Sequence, residues 1–417
     1  MQITNFTLEN YKAFSETSAF AVRPITLFYG YNSAGKSAAL RFLKLLADST
    51  NGDCLAPLNL GSEAVRGSDF KGLLSKYTSS PKIDLGIEFG ELALNYSILH
   101  LPDMKIQIIE SFQIINKLQS TMVSFDWNPH GESYEIAIKK YAHSEGETVR
   151  EATLSFDGLV PVDYSVELKG LLDPIANRLR DFSNDFVVIS SDCIIPDRFY
   201  LETAPKKKIS SRGEGIIPML QAAEEEVIND ISDWYQNATG YSFRRSDITI
   251  GDRIGHRFTL HPNSDPNIDI DIVDTGEGMG QVLPVVSLLT LAKHSALGEN
   301  PVISLEHPEL HIHPDAHSHL ADLFCQVVAS NKSSRILVET HSENLLLGLQ
   351  LAIADGRVEP NDVAVHWVRG TEKGAVVELV EFDDQARPSK NNWPVNVYRT
   401  NSKLARKLLE LRKAKQR

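Results

Sequence analysis

The chain has 417 residues, of which 42% are hydrophobic and 23% are charged, and 55 acidic against 42 basic side chains give a net charge of −13. This composition excludes a largely disordered chain, and the lack of any apolar run of about 18 residues excludes a membrane-spanning helix. The start of the chain has none of the basic and apolar character of a secretory signal, and the acidic balance argues against non-specific coating of nucleic acid, so we expect a cytoplasmic protein.

Residues 1–48 predict two short strands, a buried strand, a glycine-rich loop and a helix. Residues 2–8 and 17–22 have the pattern of paired strands, and residues 25–29 form the compact apolar run of a central strand. Residues 38–47 carry leucines at helical spacing. The glycine-rich loop is therefore expected between a strand and a helix.

This loop satisfies the phosphate-loop pattern G-x-x-x-x-G-K-[ST] in the required context. It runs Gly30-Tyr31-Asn32-Ser33-Ala34-Gly35-Lys36-Ser37, and all of these residues except Tyr31 are expected to bind the nucleotide. The glycines let backbone N–H groups point inward at phosphate oxygens, Lys36 is expected to reach the β- and γ-phosphates, and Ser37 is expected to ligate Mg²⁺. A plain glycine-rich turn is the alternative, which the strand and helix disfavour. The loop therefore predicts a bound nucleoside triphosphate.

Residues 49–269 predict surface connections, then short strands and one long helix. The predicted strands cover residues 85–89, 106–109, 135–138, 164–168 and 186–190, with a turn at residues 128–131. The helix is expected at about residues 217–237, where apolar side chains share one face. We find no repeat of 20–50 residues and no long heptad segment, so coiled-coil arms are not expected.

The last third of the chain alternates strand and helix. Strands at residues 302–305 and 336–338 flank a helix at residues 316–330, an order that implies parallel neighbours. Residues 363–368 and 375–380 predict a hairpin. The elements together predict an α/β fold of the P-loop NTPase class. It has a parallel core sheet flanked by helices, a lobe with a mixed sheet and an inserted β and helical middle region.

Charged and polar residues follow two of these strands. Glu306 ends the strand at residues 302–305 and is expected to hold Mg²⁺, or its waters, together with Ser37. His341 follows the strand at residues 336–338 and could hydrogen-bond the γ-phosphate or the attacking water. The alternative, a histidine that only caps the strand end, is disfavoured because loops at the carboxyl ends of parallel strands usually carry function.

Four motifs occur together in this chain. They are the phosphate loop, residues 274–284 (similar to D-x-G-x-G-x-S-Q-x-L-P), the segment E-x-P-E-x-H-x-H-P from Glu306, and E-T-H-S from Glu339. With these motifs the chain resembles prokaryotic ABC-type ATPases of the OLD and SMC-like group. Asn392-Trp393-Pro394 also resembles a short C-terminal extension found in one subgroup.

The resemblance implies an ABC-ATPase-like head that uses ATP and Mg²⁺. Residues 1–48 and 270–350 would form the ATPase core, residues 49–269 a lobe with strands and an inserted region, and residues 351–417 a hairpin and a basic helical tail. In such proteins two heads enclose two nucleotides, which implies a homodimer or higher oligomer. The signature loop would contact the partner's nucleotide through Gly276, Gly278, Gly280 and Gln281, although taken alone this stretch could be a simple turn.

Two positions depart from the group's pattern. His307 stands where the acid that polarises the attacking water normally follows Glu306, and a neutral imidazole could still accept a proton. Gly280 stands where the signature loop normally offers a serine hydroxyl. With Glu306, His307 and His341 as the catalytic residues, both departures predict slow hydrolysis and retained nucleotide binding.

Two further features have a functional and a plainer interpretation. Five histidines between positions 307 and 319 could ligate a transition metal, but they lack the companion cysteines or spaced acids of known metal motifs, so loop and helix positions are favoured. Residues 206–208 and the tail at residues 403–417 are rich in lysine and arginine. Solvated charge is the default for both, and contact with nucleic acid or a partner is the alternative.

The favoured function is an ATP-binding, slowly hydrolysing head that dimerises around nucleotide and serves a DNA-related or anti-phage defence complex. The residues after the last motif, 343–417, are too few for an OLD-type nuclease domain, so nuclease activity is expected in a separate effector subunit. The first alternative is a nucleotide-switched scaffold or sensor with negligible turnover. The second, a metal-dependent nuclease built on the histidines, is disfavoured because an ATP site already accounts for the strands concerned.

Overall fold

The computed structural model describes residues 2–128, 133–140, 143–194, 196–202, 209–389 and 393. The basic tail, the lysines at 206–208, Asn392, Pro394 and most of the turn predicted at 128–131 lie outside these residues. Within them, no helix is both long and apolar enough to cross a membrane.

The strands are numbered in chain order. They are β1 Asn5–Glu9, β2 Ser18–Ala21, β3 Ile25–Gly30, β4 Lys82–Phe89, β5 Leu92–Leu101, β6 Ile106–Asn116, β7 Thr121–Asn128, β8 Ser133–Lys140, β9 His143–Ala152, β10 Ser155–Asp157, β11 Val160–Val162, β12 Phe186–Ile189, β13 Tyr200–Leu201, β14 Tyr241–Ile250, β15 Arg253–Pro262, β16 Ile270–Asp271, β17 Val302–Glu306, β18 Arg335–Thr340, β19 Val363–Thr371 and β20 Gly374–Val380. The helices are α1 Lys36–Asp48, α2 Phe70–Leu73, α3 Lys169–Asp185, α4 Ile216–Gln221, α5 Glu225–Thr239, α6 Glu277–Lys293, α7 Ala316–Ser330 and α8 Glu343–Ala354.

A six-stranded sheet forms the centre of the fold, in the order β12-β17-β18-β3-β19-β20. Its first five strands run parallel, and β20 pairs antiparallel with β19 as the predicted hairpin. Strand β3, which leads into the phosphate loop, lies between β18 and β19. The carboxyl ends of the parallel strands therefore meet at the edge of the sheet where the phosphate loop begins.

The central sheet is buried on both faces. Along β18, Ile336 and Val338 belong to one apolar cluster and Leu337 belongs to the other, because successive side chains of a strand point to opposite faces. The first cluster packs against α4–α8, and the second against α1, α3 and a second sheet. This two-sided burial is typical of parallel sheets in α/β proteins and explains the continuous apolar runs in the sequence.

The second sheet has eight strands in the order β2-β1-β4-β5-β6-β7-β8-β9, and all the pairings are antiparallel. A smaller sheet joins β13, β14, β15 and β16. These sheets, with the parallel core and its helices, confirm the predicted α/β fold class and its parallel core sheet. The sheet of the lobe, which was predicted to be mixed, is antiparallel throughout its described strands.

Three differences between the predicted and the observed elements bear on the parallel core and the helices around it. Residues 164–168 are not a strand, and 166–168 form a short 3₁₀ turn that leads into α3, a helix that the sequence analysis did not predict. The single helix expected at 217–237 is broken into α4 and α5, because Gln221 ends the first and α5 starts only at Glu225. The core sheet also includes β12, β19 and β20, which lie outside the ranges assigned to the ATPase core.

Candidate nucleotide site

The phosphate loop leaves β3 through two glycines that other residues could not replace. Gly30 has φ 148°, and a Cβ on it would lie 2.0 Å from the carbonyl oxygen of Val368 on β19. Ser33 and Gly35 also have positive φ values of 61° and 113°. The loop therefore curls sharply, as a phosphate cradle requires, and Asn32 and Ser33 lie on its exposed part while Ala34 is buried.

Helix α1 begins at Lys36 without a capping side chain. Its N-cap residue is Gly35, no side chain of the described residues accepts a hydrogen bond from its first N–H groups, and its first turn contains no acidic residue. Free N–H groups and the positive end of the helix dipole favour an anion at this point. The start of α1 is therefore suited to bind a phosphate group.

The Lys36 side chain is buried beneath the loop, with 3% of its surface exposed. Its Nζ donates a hydrogen bond to the carbonyl oxygen of Tyr31, 2.9 Å away. Burial lowers the pKa of Lys36, while the carboxylates of Glu339 and Glu309 act in the opposite direction. The loop thus holds the lysine ammonium inside its own curve, where phosphate oxygens are expected.

The carboxylate next to Ser37 is that of Glu339, at the end of β18. Ser37 donates its hydroxyl to Oε1 of Glu339 over 2.7 Å. Glu306, which the sequence analysis expected beside Ser37, instead accepts two hydrogen bonds from Arg41, at 2.5 and 2.6 Å. The reason is the strand order, because β18 lies between β3 and β17. Glu306 as the metal acid therefore stays a prediction, and the observed geometry differs from it.

Two carboxylate oxygens of this cluster have no hydrogen-bond partner among the described residues. They are Oε2 of Glu339 and Oε2 of Glu309, and both are buried. A buried carboxylate oxygen without a partner is unfavourable, and a cation with oxygen ligands would satisfy it. A P-loop magnesium site needs only a hydroxyl, one or two carboxylates, phosphate oxygens and water. Ser37 and the nearby carboxylates therefore fit Mg²⁺.

His307 lies between two of these carboxylates. Its Nε2 is 3.5 Å from Oε1 of Glu339, and its Nδ1 is 3.9 Å from Oε1 of Glu309. Burial lowers the pKa of His307, but the two carboxylates outweigh burial and raise that pKa to about 9. The ring therefore carries both protons at neutral pH in this arrangement, in contrast to the neutral imidazole expected from the sequence.

His341 stacks on His307, with ring centroids 5.0 Å apart. Its backbone N–H donates to Oε1 of Glu309, which also accepts from the hydroxyl of Thr340. Burial and the charges of Lys36 and His307 lower the pKa of His341. The structure thus brings His341 into the same cluster as the phosphate loop, as the sequence analysis expected of a strand-end residue.

The signature loop lies at the start of α6, which begins at Glu277. A Cβ on Gly278 would lie 2.0 Å from the carbonyl oxygen of His311, so the backbones touch here. Gly280 is buried, and a Cβ on it would lie 3.2 Å from Cδ of Pro196. Gly276 has open space around it. Gln281 donates to Glu277 over 2.8 Å.

Two arginines form ion pairs with the aspartates that precede the signature loop. Arg198 makes two hydrogen bonds to Asp274, both 2.7 Å, and one of 2.6 Å to Asp271. Arg257 also binds Asp271. Because Asp274 and Asp271 flank the turn before α6, these ion pairs anchor the loop that the sequence identified only by its glycines.

The histidines between positions 307 and 319 do not share one site. In the described part of the chain, no group of three or more His, Cys, Asp and Glu side chains is arranged to hold a metal ion. His313 pairs with Asp315 on the surface, and Nδ1 of His317 lies 2.7 Å from the hydroxyl of Ser342 at the start of α8. These two histidines therefore contact a surface aspartate and a helix-capping serine, at separate places.

Three residues of the cluster were not predicted as site residues from the sequence: Arg41, Glu309 and Glu339. For Glu339 the sequence did contain a signal, because an acidic residue ends an apolar strand and ionised side chains are rarely buried without a reason. Arg41 gave no signal, because its partner Glu306 is distant in sequence and comes close only in the fold.

Residues 1–346 match the family described as AAA ATPase domain. Among solved structures, the chain is similar to the SmcHead bound to the C-winged helix domain of ScpA (12% identity, TM-score 0.48, covering 92% of this chain and 98% of that chain). It is also similar to the SMC head domain from Thermotoga maritima (11% identity, TM-score 0.40, covering 91% of this chain and 100% of that chain). A third similar structure is the Pyrococcus furiosus Smc head domain with an extended coiled coil bound to the C-terminal domain of ScpA (12% identity, TM-score 0.44, covering 99% of this chain and 99% of that chain). The search of curated proteins found no match.

Proposed function

The chain belongs to the AAA ATPase domain family, and we propose that it binds ATP with Mg²⁺, hydrolyses it slowly and forms a homodimer around the nucleotide. The observation that carries this proposal is the phosphate loop itself. Its positive-φ backbone, the uncapped start of α1 and the buried ammonium of Lys36 converge on one point. An ATP molecule supplies the triphosphate charge that such a point attracts.

Each residue of the loop has a defined task in this proposal. The N–H groups of Gly30, Asn32, Ser33, Ala34 and Gly35 bind phosphate oxygens. Lys36 exchanges its hydrogen bond to the Tyr31 carbonyl for one to the phosphates, which is favourable because a charge-assisted hydrogen bond is stronger than a neutral one. Ser37 presents its hydroxyl to Mg²⁺.

Slow hydrolysis is supported by the residues at positions 307 and 280. A histidine replaces the carboxylate that would accept a proton from the attacking water, and losing such help typically slows a reaction by roughly 10²–10⁴-fold. Gly280 offers no hydroxyl and is buried against Pro196. In this proposal Glu306, His307 and His341 orient the water and the phosphates, while binding itself depends on the phosphate loop.

Dimerisation is supported by the start of α6. Within the described part of the chain no side chain caps this helix, and its N-cap residue, Gly276, is exposed with open space around it. A phosphate of a second protomer's nucleotide could therefore approach the N–H groups of Gly276 and Gly278 at this end of α6, with Gly280 and Gln281 in the turn that follows. We propose that the dimer is OLD-like and serves a DNA-related or anti-phage defence complex with a separate effector or nuclease subunit. A nucleic-acid contact is assigned to the basic tail at residues 403–417.

Equilibrium binding of a fluorescent ATP analogue tests the proposal. Lys36→Ala should abolish binding, because it removes the charge that offsets the triphosphate. Lys44→Ala is the matched control, since Lys44 lies on the same helix but pairs with Asp48. Unchanged binding in Lys36→Ala, or equal loss in both variants, would refute the assignment of the phosphate loop.

A nucleotide-switched scaffold or sensor is the second candidate function. The same two positions favour it, since a histidine at 307 and a glycine at 280 leave binding intact while weakening turnover. The turnover number separates the two functions. Hydrolysis that is undetectable while the analogue still drives dimerisation indicates a switch, whereas measurable hydrolysis lost in Lys36→Ala indicates an ATPase.

A further inference from the structure

We infer that Glu339, and not Glu306, is the carboxylate that faces the magnesium ion beside Ser37, directly or through a metal-bound water. This assignment rests on the proposed binding of ATP with Mg²⁺. It gives a role to a residue that the motif pattern leaves without one.

The strand order brings Glu339 closer to the phosphate loop than Glu306. In the parallel register, Glu339 is paired with Phe28 of β3 on one side and with Glu306 of β17 on the other. The end of β17 is therefore one strand further from the phosphate loop. A carboxylate on β18 reaches the start of α1 without crossing another strand.

The hydrogen bonds of Glu339 leave one oxygen free. Ser37 donates to Oε1, and Nε2 of His307 approaches the same oxygen at 3.5 Å. Oε2 has no partner among the described residues, and only 3% of the side-chain surface of Glu339 is exposed. A buried, unpartnered carboxylate oxygen next to a serine hydroxyl matches the hard oxygen ligands that Mg²⁺ prefers.

Both carboxylate oxygens of Glu306 already have a hydrogen-bond partner. Arg41 binds both of its carboxylate oxygens through Nε and a terminal nitrogen, a bidentate arrangement that neutralises the charge. Arg41 lies one turn after Ser37 on α1, so the same helix that presents the serine also supplies the partner of Glu306. A cation at Glu306 would have to displace a guanidinium, whereas at Glu339 it would fill a free position.

The test uses the full chain, a non-hydrolysable ATP analogue and Mn²⁺ as the probe, with free Mn²⁺ measured by electron paramagnetic resonance. Glu339→Gln should weaken Mn²⁺ binding by roughly 10–100-fold, and Glu306→Gln should change it by less than about threefold. Glu339→Asp, which keeps the charge on a shorter side chain, should recover part of the loss. Loss only in Glu306→Gln, equal loss in both, or no loss in either would overturn the inference.

Two controls separate this inference from the proposed function and from misfolding. Binding of the fluorescent ATP analogue is measured in every variant, so a wild type that binds no analogue refutes the proposed function and the inference together. A wild type that binds analogue while Glu339→Gln keeps full Mn²⁺ affinity refutes the inference alone. Thermal unfolding of each variant without Mn²⁺ shows whether a loss of Mn²⁺ binding reflects misfolding. Glu309→Gln serves as a comparison for this measurement, because Glu309 is also a buried carboxylate but makes no hydrogen bond to Ser37 among the described residues.

Discussion

Glu306 and Glu339 lie opposite each other on neighbouring parallel strands, and each carboxylate meets a different partner. Glu306 is paired with Arg41, whereas Glu339 meets Ser37 and His307. Two buried carboxylates side by side would repel each other without such partners. The positive charges of Arg41, Lys36 and His307 therefore offset the negative charge of this acidic strand edge.

Gly278→Ala should destabilise the fold. The new Cβ would lie 2.0 Å from the carbonyl oxygen of His311, and neither backbone can move without disturbing α6 or the loop after β17. We expect a loss of roughly 1–3 kcal/mol in the free energy of unfolding, measured by urea denaturation. Gly276→Ala is the control, because a Cβ there meets open space. Similar losses in the two variants would show that contact with His311 is not the cause.

His307→Glu should raise ATP turnover and lower thermal stability. The new carboxylate could accept a proton from the attacking water, but it would stand close to the carboxylates of Glu309 and Glu339, now 3.9 and 3.5 Å from the imidazole nitrogens. We expect a wild-type turnover below about one per second, the low end for enzymes. Phosphate release and differential scanning calorimetry measure the two effects.

His307→Gln is the control for that change. It keeps a hydrogen-bonding side chain that can orient the water but removes the charge without adding a base, so its turnover should stay as low as that of the wild type. If His307→Glu were slower than the wild type, or if His307→Gln abolished turnover, His307 would be an effective proton acceptor and the proposed slow hydrolysis would be wrong.

Gly280→Ser should tighten the ATP-dependent dimer. A serine hydroxyl could donate to a phosphate across the interface, a contact of roughly 1.5–3 kcal/mol when charge-assisted. Part of this gain is lost because the Cβ would lie 3.2 Å from Cδ of Pro196, which must shift by a few tenths of an ångström. Sedimentation velocity with a non-hydrolysable analogue measures the dimer. Gly280→Ala adds the same Cβ without the hydroxyl, so equal behaviour of the two variants would exclude a hydroxyl contact.

Acid should destabilise the fold through His366, which is buried on β19 between Phe20 and Phe28. Burial lowers the pKa of His366 to about 4 from 6.5. Between these pH values the unfolded chain binds a proton that the folded chain does not. The contribution of His366 is therefore present above about pH 6.5 and is lost as the pH falls toward 4.

Between pH 7.5 and pH 5 the loss from this residue should be roughly 2 kcal/mol. His366→Gln keeps a donor for the carbonyl oxygen of Ala21, which His366 contacts at 2.8 Å, but does not titrate. Urea unfolding of both proteins at the two pH values measures the difference. Equal pH dependence in wild type and variant would assign the acid sensitivity to other groups.

Removing residues 402–417 should weaken nucleic-acid binding if the basic tail makes the contact. With about five phosphates contacted, the slope of log affinity against log salt concentration should become smaller by roughly 4–5 units. Fluorescence anisotropy with a labelled DNA duplex over a salt series measures the slope. An unchanged slope would mean that the tail has no part in nucleic-acid binding.

The phosphate loop and the fold class could be predicted from the sequence because their determinants are local. Residues 25–29 form an unbroken apolar run, and the glycines that follow have a fixed spacing, so strand, loop and helix were predictable without knowledge of neighbours. Strand β3 ends one residue later than expected, and α1 begins at Lys36. The strand pair of residues 302–306 and 335–340 was predictable for the same reason.

The partner of Ser37 could not be predicted, because it depends on which strand lies next to β3. The sequence shows two acids at strand ends, Glu306 and Glu339, but not the order of β17 and β18 in the sheet. The charge state of His307 was also hidden, since it depends on Glu309 and Glu339 in the folded site. Contacts between segments that are distant in sequence can be predicted only when the strand order is known in addition to the motif.

The position of β3 between β18 and β19 has a consequence for the folding of the chain. The strand that leads into the phosphate loop lies at residues 25–30, but both of its neighbours lie at residues 335–371. Pairing between such distant segments is slow, because a long loop of chain must close before the contacts form. Because Glu339 and the carbonyl oxygen of Val368 complete the surroundings of the loop, the loop reaches its final arrangement only after these distant strands have paired with β3.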